Sequence, residues 1–487
     1  MSRVETDSMF FVGGRGTGAD GDSRYVGGCL RSWWLTECPN DTDAEKAVAL
    51  AKLMGVNGAP IDSAIDCSIM DDGGKVKIYK SGSFTNSAVG MIVYCDFSAY
   101  YTDGQYEIVA RTDSSITIDQ TFYTSASSCN AYVGGAYDCL QSAFTEVRDS
   151  NKFGEWKWIY DNLDEAAAGA MDATLTGDID ENGHIFIIGY KDVPGDLDYG
   201  GTHYGDYVTK TGGAALADHI ITLQDSAENL HFWNFEIKTN SGAYGAFLFP
   251  ETYGVELSNC YFNDLGYGIY STAVGWATVV RDCIFDNMRD QISITAAGGA
   301  WYISNCKFTK TDDDCRIQAG GDFFVTGCIF NGTGLAVNNY GGAVIFRNNT
   351  CYNISVKAIK LKLNSVSSVV ENNIFYLSGI DAYAVYRDST GTGATSTRIA
   401  NNCVYCPVGA INNPFYDAYG DDDIPAEGTL EEDPRLDLDY VPGNSKLLES
   451  GIPDISGMRT HIGAIGKSVR SRSIVPALAG SPITGAF

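Results

Sequence analysis

The chain has 487 residues, with 61 acidic against 33 basic side chains and a formal net charge of −28. Such an acidic body repels phosphate backbones, so nucleic acid is not an expected partner, and no stretch has the length and apolarity of a membrane span. The length exceeds one ordinary core, which leaves several units or a solenoid that grows by adding turns.

In chain order, Met1 to Asp7 lack the apolar run of a secretory signal, so synthesis in a reducing cytoplasm is expected. The Gly-rich run Val12 to Gly18 superficially resembles a phosphate loop, but it lacks the Lys-Ser/Thr ending and the following helix; a turn is expected. Asp41-Thr42-Asp43-Ala44-Glu45 predicts the capped start of a helix reaching about Met54, with Ala44, Ala47, Val48, Ala51 and Met54 on one face.

From Lys75 to Phe122 the sequence predicts strands at Val76–Tyr79, Met91–Tyr94, Tyr106–Val109 and Ser115–Ile118, with turns at Asp103-Gly104 and Asp113-Ser114-Ser115. Residues 1–128 are thus expected to form a β-rich attachment module with one short helix. Phe11-Val12-Gly13-Gly14, Tyr25-Val26-Gly27-Gly28 and Tyr132-Val133-Gly134-Gly135 share a phrase, which fits a module inserted into the first turns of the next unit. Ala136, Leu140, Ala143, Phe144 and Val147 have helical spacing and predict a cap on that unit's open end.

Two candidate sites come next. Asp178, Asp180 and Asn182 match the first half of a calcium loop, but Gly189 stands where a bidentate Glu is needed. A turn is expected there and no cofactor, with Ca2+ on those three residues as the alternative. The loop from Asp192 to Tyr207 combines Tyr199, His203, Tyr204 and Tyr207 with carboxylates, a mixture suited to carbohydrate contact. The same tyrosines would otherwise cover the side of the first coils.

A phrase then repeats at Cys260, Cys283, Cys306, Cys328, Asn349, Asn373 and Asn402, in steps of 23, 23, 22, 21, 24 and 29 residues. It joins a β-rich run to an Asn/Cys position and then, in most repeats, to the column Phe262, Phe285, Phe308, Phe330 and Phe375. A repeat of this length without helical period is too short for a propeller blade and lacks leucine-rich spacing, which leaves a parallel β-solenoid. Asn in such a column can bond the backbone of the next coil, and free Cys acts there as a small buried hydrophobe. The ladder thiols among the fourteen cysteines are therefore expected to be reduced, and Cys403-Val404-Tyr405-Cys406 lacks the second pair of a zinc site.

Asp312-Asp313-Asp314 with Arg316 follows the Phe308 position in a turn. A solvated acidic turn is expected, with a catalytic group of Asp312, Asp314 and Arg316, completed by Asp286 or Asp290, as the alternative. Residues 467–487 turn basic, at Lys467, Arg470 and Arg472, and then apolar, forming an extension arm.

The Asn/Cys-x-Phe column, the opening Tyr132 to Gly135, Ile187 to Lys191 with Pro194-Gly195-Asp196, and the closing Ser445 to Gly451 with His461 to Ala464 resemble the right-handed parallel β-helix, or pectin-lyase-like, superfamily. The expected architecture is all-β: a capped right-handed parallel β-helix over 129–466, behind the module at 1–128 and before the arm at 467–487. The resemblance implies two functional classes. One is a structural or adhesive protein of a bacteriophage virion, such as a tail spike, head fibre or capsid decoration, joined to other virion proteins through the module and the arm and contacting surface polysaccharide. The other is a polysaccharide lyase or glycoside hydrolase, extracellular rather than virion-borne. A spike is expected to be a homotrimer and an isolated solenoid a monomer.

Overall fold

The computed structural model describes residues 8–13, 28–40, 42–54, 59–125 and 128–135, then the segments 155–160, 163–164, 173–175, 185–190, 207–210, 219–223, 227–234, 236–239 and 245–249. From 252 to 463 it describes all but 273–274, 296–297, 311–315, 363–366, 389–395, 419–421, 439, 441, 445–446 and 448–462.

The described strands between residues 155 and 427 fall into three long sheets, to each of which every coil adds one strand in turn. Among the described residues the first sheet holds 13 strands, the second 10 and the third 11, and successive coils pair in parallel. Equivalent residues therefore stack along the axis at roughly 4.8 Å. The corner between the first and second sheets needs a left-handed backbone residue, and Asn259, Asp282, Asn305, Asn348, Asn372 and Asn401 supply it with φ between 51 and 60°. Asn and Asp tolerate that conformation better than other side-chain-bearing residues.

The repeated phrase lies just past this corner, inside the coil. Phe262, Phe285, Phe308 and Phe330 stack with centroids 4.7, 4.9 and 4.8 Å apart, and all four are fully buried. Cys351 takes the next place in register, before Phe375. Phe346 from the first sheet occupies the room beside this smaller residue, 5.6 Å from Phe330 and 6.5 Å from Phe375.

Next to the rings runs the Cys/Asn column. Asn349, Asn373 and Asn402 donate from Nδ2 to the carbonyls of Val325, Phe346 and Val370 at 3.0, 2.9 and 2.9 Å. The backbone N–H groups of Cys328, Asn349 and Asn373 donate to the Oδ1 of the following Asn at 2.8, 2.9 and 2.9 Å. The thiols make the carbonyl contact more weakly. Cys306 and Cys328 Sγ lie 3.6 and 3.8 Å from the carbonyls of Val280 and Ile303.

All twelve cysteines among the described residues are buried and free, and burial pushes the Cys67 and Cys403 thiols up to about 12. A thiol reagent should therefore label at most Cys139 and Cys315, which lie outside the described residues, before denaturation. Rapid native labelling of further thiols would contradict this packing.

The module is an insertion in the first sheet. Ser8–Gly13 pairs in parallel with Glu155–Tyr160, and the chain between them builds a separate seven-stranded antiparallel sheet. Cys129–Val133, expected to open the solenoid, is an interior strand of this sheet, paired with Asp62–Ala64 and Ile92–Phe97. The module thus continues past residue 128, because a β-rich run carries no local mark of which sheet will take it.

Among the described residues two helices accompany the module, Arg31–Glu37 and Asp43–Met54, where one was expected. Thr42 and Glu45 cap the second reciprocally, Thr42 N–H donating to Glu45 Oε2 at 3.1 Å and Glu45 N–H to Thr42 Oγ1 at 3.4 Å. Its buried face is Lys46, Ala49, Leu53 and Met54, whereas Ala44, Ala47, Val48 and Ala51 are exposed. Alanines lie all round this helix, so the bulk of Leu53 and Met54, not the alanine pattern, sets the face. The helix ends against Gly134, at φ 70°, where a Cβ would lie 2.1 Å from the Leu53 carbonyl.

Leu30 and Ile92 of the N-terminal region join Ile187 in the solenoid's own core, so this region closes the first coils. The helix expected over 136–147 and the arm at 467–487 lie outside the described residues. At the far end the chain turns back over the outer face of the second sheet. Leu447 packs on Ile374 and Cys403, Gly463 N–H donates to the Asn372 carbonyl, and the Tyr440 ring lies 5.3 Å from Tyr352.

Candidate functional site

With the interior filled and the second sheet partly covered, the first and third sheets offer the remaining outer faces. In the third, the strands Lys357–Leu361, Tyr383–Arg387 and Phe415–Asp417 stack in register. Ile359, Val385 and Phe415 point inward, and Lys360, Tyr386 and Tyr416 form an outer column with Lys357 and Tyr383 beside it. Upstream, the same column continues through Tyr270, Ser293, Gln318 and Asn338.

Three half-buried tyrosines gather at the C-terminal end of this column. Tyr383 lies 5.3 Å from Tyr386 and 5.5 Å from Tyr416, and Tyr386 lies 5.8 Å from Tyr416. Lys357 Nζ sits 3.5 Å from the Tyr386 ring centre, within cation–π range. Lys360 pairs with Asp388 at 2.7 Å, and Arg387 with Asp417 at 2.7 Å. Burial, then the neighbouring Lys360 charge, pushes the Lys357 ammonium below its ordinary range. Aromatic faces beside amides and a cation suit a ligand with apolar C–H faces, hydroxyls and negative charge.

The outer first sheet is different. Val279, Tyr302, Phe324, Ile345 and Val369 follow one another in register as an apolar column. Charged clusters flank it: Glu371 lies 3.1 Å from both Arg347 and Arg398, and His231 Nδ1 lies 2.9 Å from Glu256, which Arg281 Nε also contacts at 2.6 Å. Phe186 stacks on His231, and Phe186 and Trp233 pack against the module's core. This end of the face is therefore a junction between the two units.

Burial alone would push the Glu256 carboxyl up, but the His231 bond and the Arg281 charge outweigh it and hold it below the usual carboxylate range. A carboxyl depressed on folding contributes stability above its unfolded value, about 4.3, and loses it as pH falls through the lower folded value. Glu256→Gln should therefore flatten part of the acid limb of a stability-versus-pH curve. An unchanged limb would contradict this role.

The residues singled out in the sequence fare unevenly. Arg316 is fully buried, its guanidinium donating to the Lys310 carbonyl at 3.0 Å and to those of Leu335 and Asn331 at 3.4 Å. It braces an inner corner where a Cβ on Gly332 would meet the same Lys310 carbonyl, and it does not face a groove. Asp290, nearly buried, accepts from Gln318 on the third sheet, and Asp286 accepts from Tyr261 on the second. Tyr207 opens the strand Tyr207–Lys210, in register with Glu236.

Asp178, Asp180, Asn182, Tyr199, His203, Tyr204, Asp312 and Asp314 lie outside the described residues. Among the described residues no group of three or more His, Cys, Asp or Glu side chains could hold a metal ion, and no helix is long and apolar enough to cross a membrane. The tyrosine cluster was missed in the sequence. Its one local signal is Tyr383-Ala-Val-Tyr386, and Tyr416 joins only across the next coil.

No family model matches the sequence, and neither does any curated protein. Among solved structures, the tailspike protein gp49 from Pseudomonas phage LKA1 is similar at 10% identity, with a TM-score of 0.28, over 77% of this chain and 63% of that one. The three stacked parallel sheets decide the class. The chain is a parallel β-helix protein. In this β-helix the interior is spent on coil-to-coil ladders, so chemistry directed at another molecule falls to the outer columns and the loops between them.

Proposed function

We propose that this β-helix is a non-enzymatic structural or adhesive component of a bacteriophage virion, a stiff rod that displays one outer face for attachment to surface polysaccharide. The observation that carries the reading is the Tyr383, Tyr386 and Tyr416 cluster, three rings within 5.8 Å of one another on an outer face. Rings in such a cluster stack on the C–H faces of sugars and lose little side-chain entropy in doing so. The ladders below hold the face rigid, which reduces the ordering cost of binding.

In the same proposal the N-terminal module joins other virion proteins. Tyr100 and Tyr123, 75% and 68% exposed on the module, are the aromatic anchors it offers. Tail spike, head fibre and capsid decoration are the locations that fit this arrangement, and a homotrimer is the assembly proposed for a spike.

The test is co-sedimentation of the full chain with intact bacterial cells, followed by analysis of the supernatant for sugar fragments. The proposal expects binding that Tyr386→Ala weakens at least tenfold, with no rise in reducing or unsaturated sugar ends. Release of fragments would contradict the non-enzymatic reading, and equal binding by Tyr386→Ala would remove the site.

A further inference from the structure

The tyrosine cluster contains an unbalanced charge. Lys360 and Arg387 have carboxylate partners at 2.7 Å, yet among the described residues no carboxylate lies within pairing distance of Lys357. Its ammonium rests instead on the Tyr386 face, and Lys357 is the register partner of Tyr383. On a chain of net charge −28, a half-buried lysine without a paired carboxylate is out of keeping with the surface around it. Its depressed affinity for a proton has the same origin: burial and then Lys360 disfavour the charged form and outweigh the attraction of Asp388, whose carboxylate is paired with Lys360, and a bound anion would oppose that depression.

We infer that Lys357, with Tyr383, Tyr386 and Tyr416, forms a subsite for an acidic sugar residue, the ring lying on the tyrosines and its carboxylate pairing with the Lys357 ammonium. Behind Lys360 the column carries the amides of Asn338 and Gln318, which bond Tyr340 and Asp290, at roughly 4.8 Å steps where neighbouring sugars would lie. A nucleic acid would also bring rings and negative charge, but its closely spaced phosphates would meet the field of the whole acidic body, whereas one carboxylate per sugar repeat needs only a local cation. The inference rests on the adhesive reading above and specifies what that face selects.

The experiment uses the full chain and a panel of polysaccharides built from carboxylated sugars, each tested beside its own carboxyl-reduced, neutral form. The expected result is binding at least about tenfold tighter to the acidic member of a pair, an advantage that shrinks as salt is raised. Lys357→Gln should abolish that advantage, bringing the acidic and neutral members of a pair to similar binding. Tyr386→Ala should weaken both forms.

Equal binding to a polysaccharide and its reduced form, or a Lys357→Gln protein that still prefers the acidic one, overturns the acidic-sugar assignment and leaves the adhesive reading standing. A panel that gives no binding at all also overturns it. The adhesive reading is then judged separately by sedimentation with intact cells.

Discussion

Phe308→Ala should lower stability by about 3–5 kcal/mol, the usual cost of emptying a buried phenylalanine site. Phe308 is fully buried between Phe285 and Phe330, with centroids 4.9 and 4.8 Å away and planes within 7° of parallel. Neither neighbour can move into the gap without leaving its own stack, because each ring is fixed by a strand paired in register above and below. Phe308→Leu should cost less, since it retains most of the buried carbon. Chemical denaturation with a probe on the solenoid reads the effect as a shifted midpoint, and a shift for Phe308→Ala no larger than for a surface substitution would contradict the stacking.

Asn373→Ala should be comparably damaging, at about 3–5 kcal/mol, for a polar reason. Asn373 is completely buried and serves three coils at once. Its Oδ1 accepts from the Asn349 backbone at 2.9 Å, and its Nδ2 donates to the Phe346 carbonyl at 2.9 Å and to Asn402 Oδ1 at 3.0 Å. Alanine would leave a buried N–H and a buried carbonyl without these partners, at about 1–3 kcal/mol each, with some loss of cooperativity along the chain of amides. Asn373→Cys should recover part of the loss, because thiols at the equivalent positions make the carbonyl contact. If the alanine and cysteine variants unfold alike, the equivalence of Cys and Asn in this column is wrong.

The interior was legible from the sequence because the same chemistry returns to the same inward position once per coil. An inward Asn, Cys or Phe has few substitutes, so Asn259-Cys260-Tyr261-Phe262 and its successors keep their spacing and announce the stack. The outer third face has no such constraint. Its column changes residue type from coil to coil, through Ser293, Gln318, Asn338, Lys360 and Tyr386 to Tyr416, so no repeated residue announces it. The tyrosines are therefore neighbours only once the coils are wound.

Arg316 follows from a related cause. A charged residue beside three aspartates is expected at a solvated turn, and here its guanidinium instead donates to three backbone carbonyls at an inner corner. The module shows the opposite limit, because its strands were visible singly while their partners were not. That Ser8–Gly13 pairs with Glu155–Tyr160 is a contact across the whole insertion, and only the repeated Val-Gly-Gly phrase hinted at it.

The measurement that tests the account most directly is electron microscopy of the particles produced with this protein, labelled with an antibody against its N-terminal module. Regular labelling at a fixed position on capsid or tail is the predicted result. Particles that carry no label while the protein remains free in the lysate would contradict a virion component.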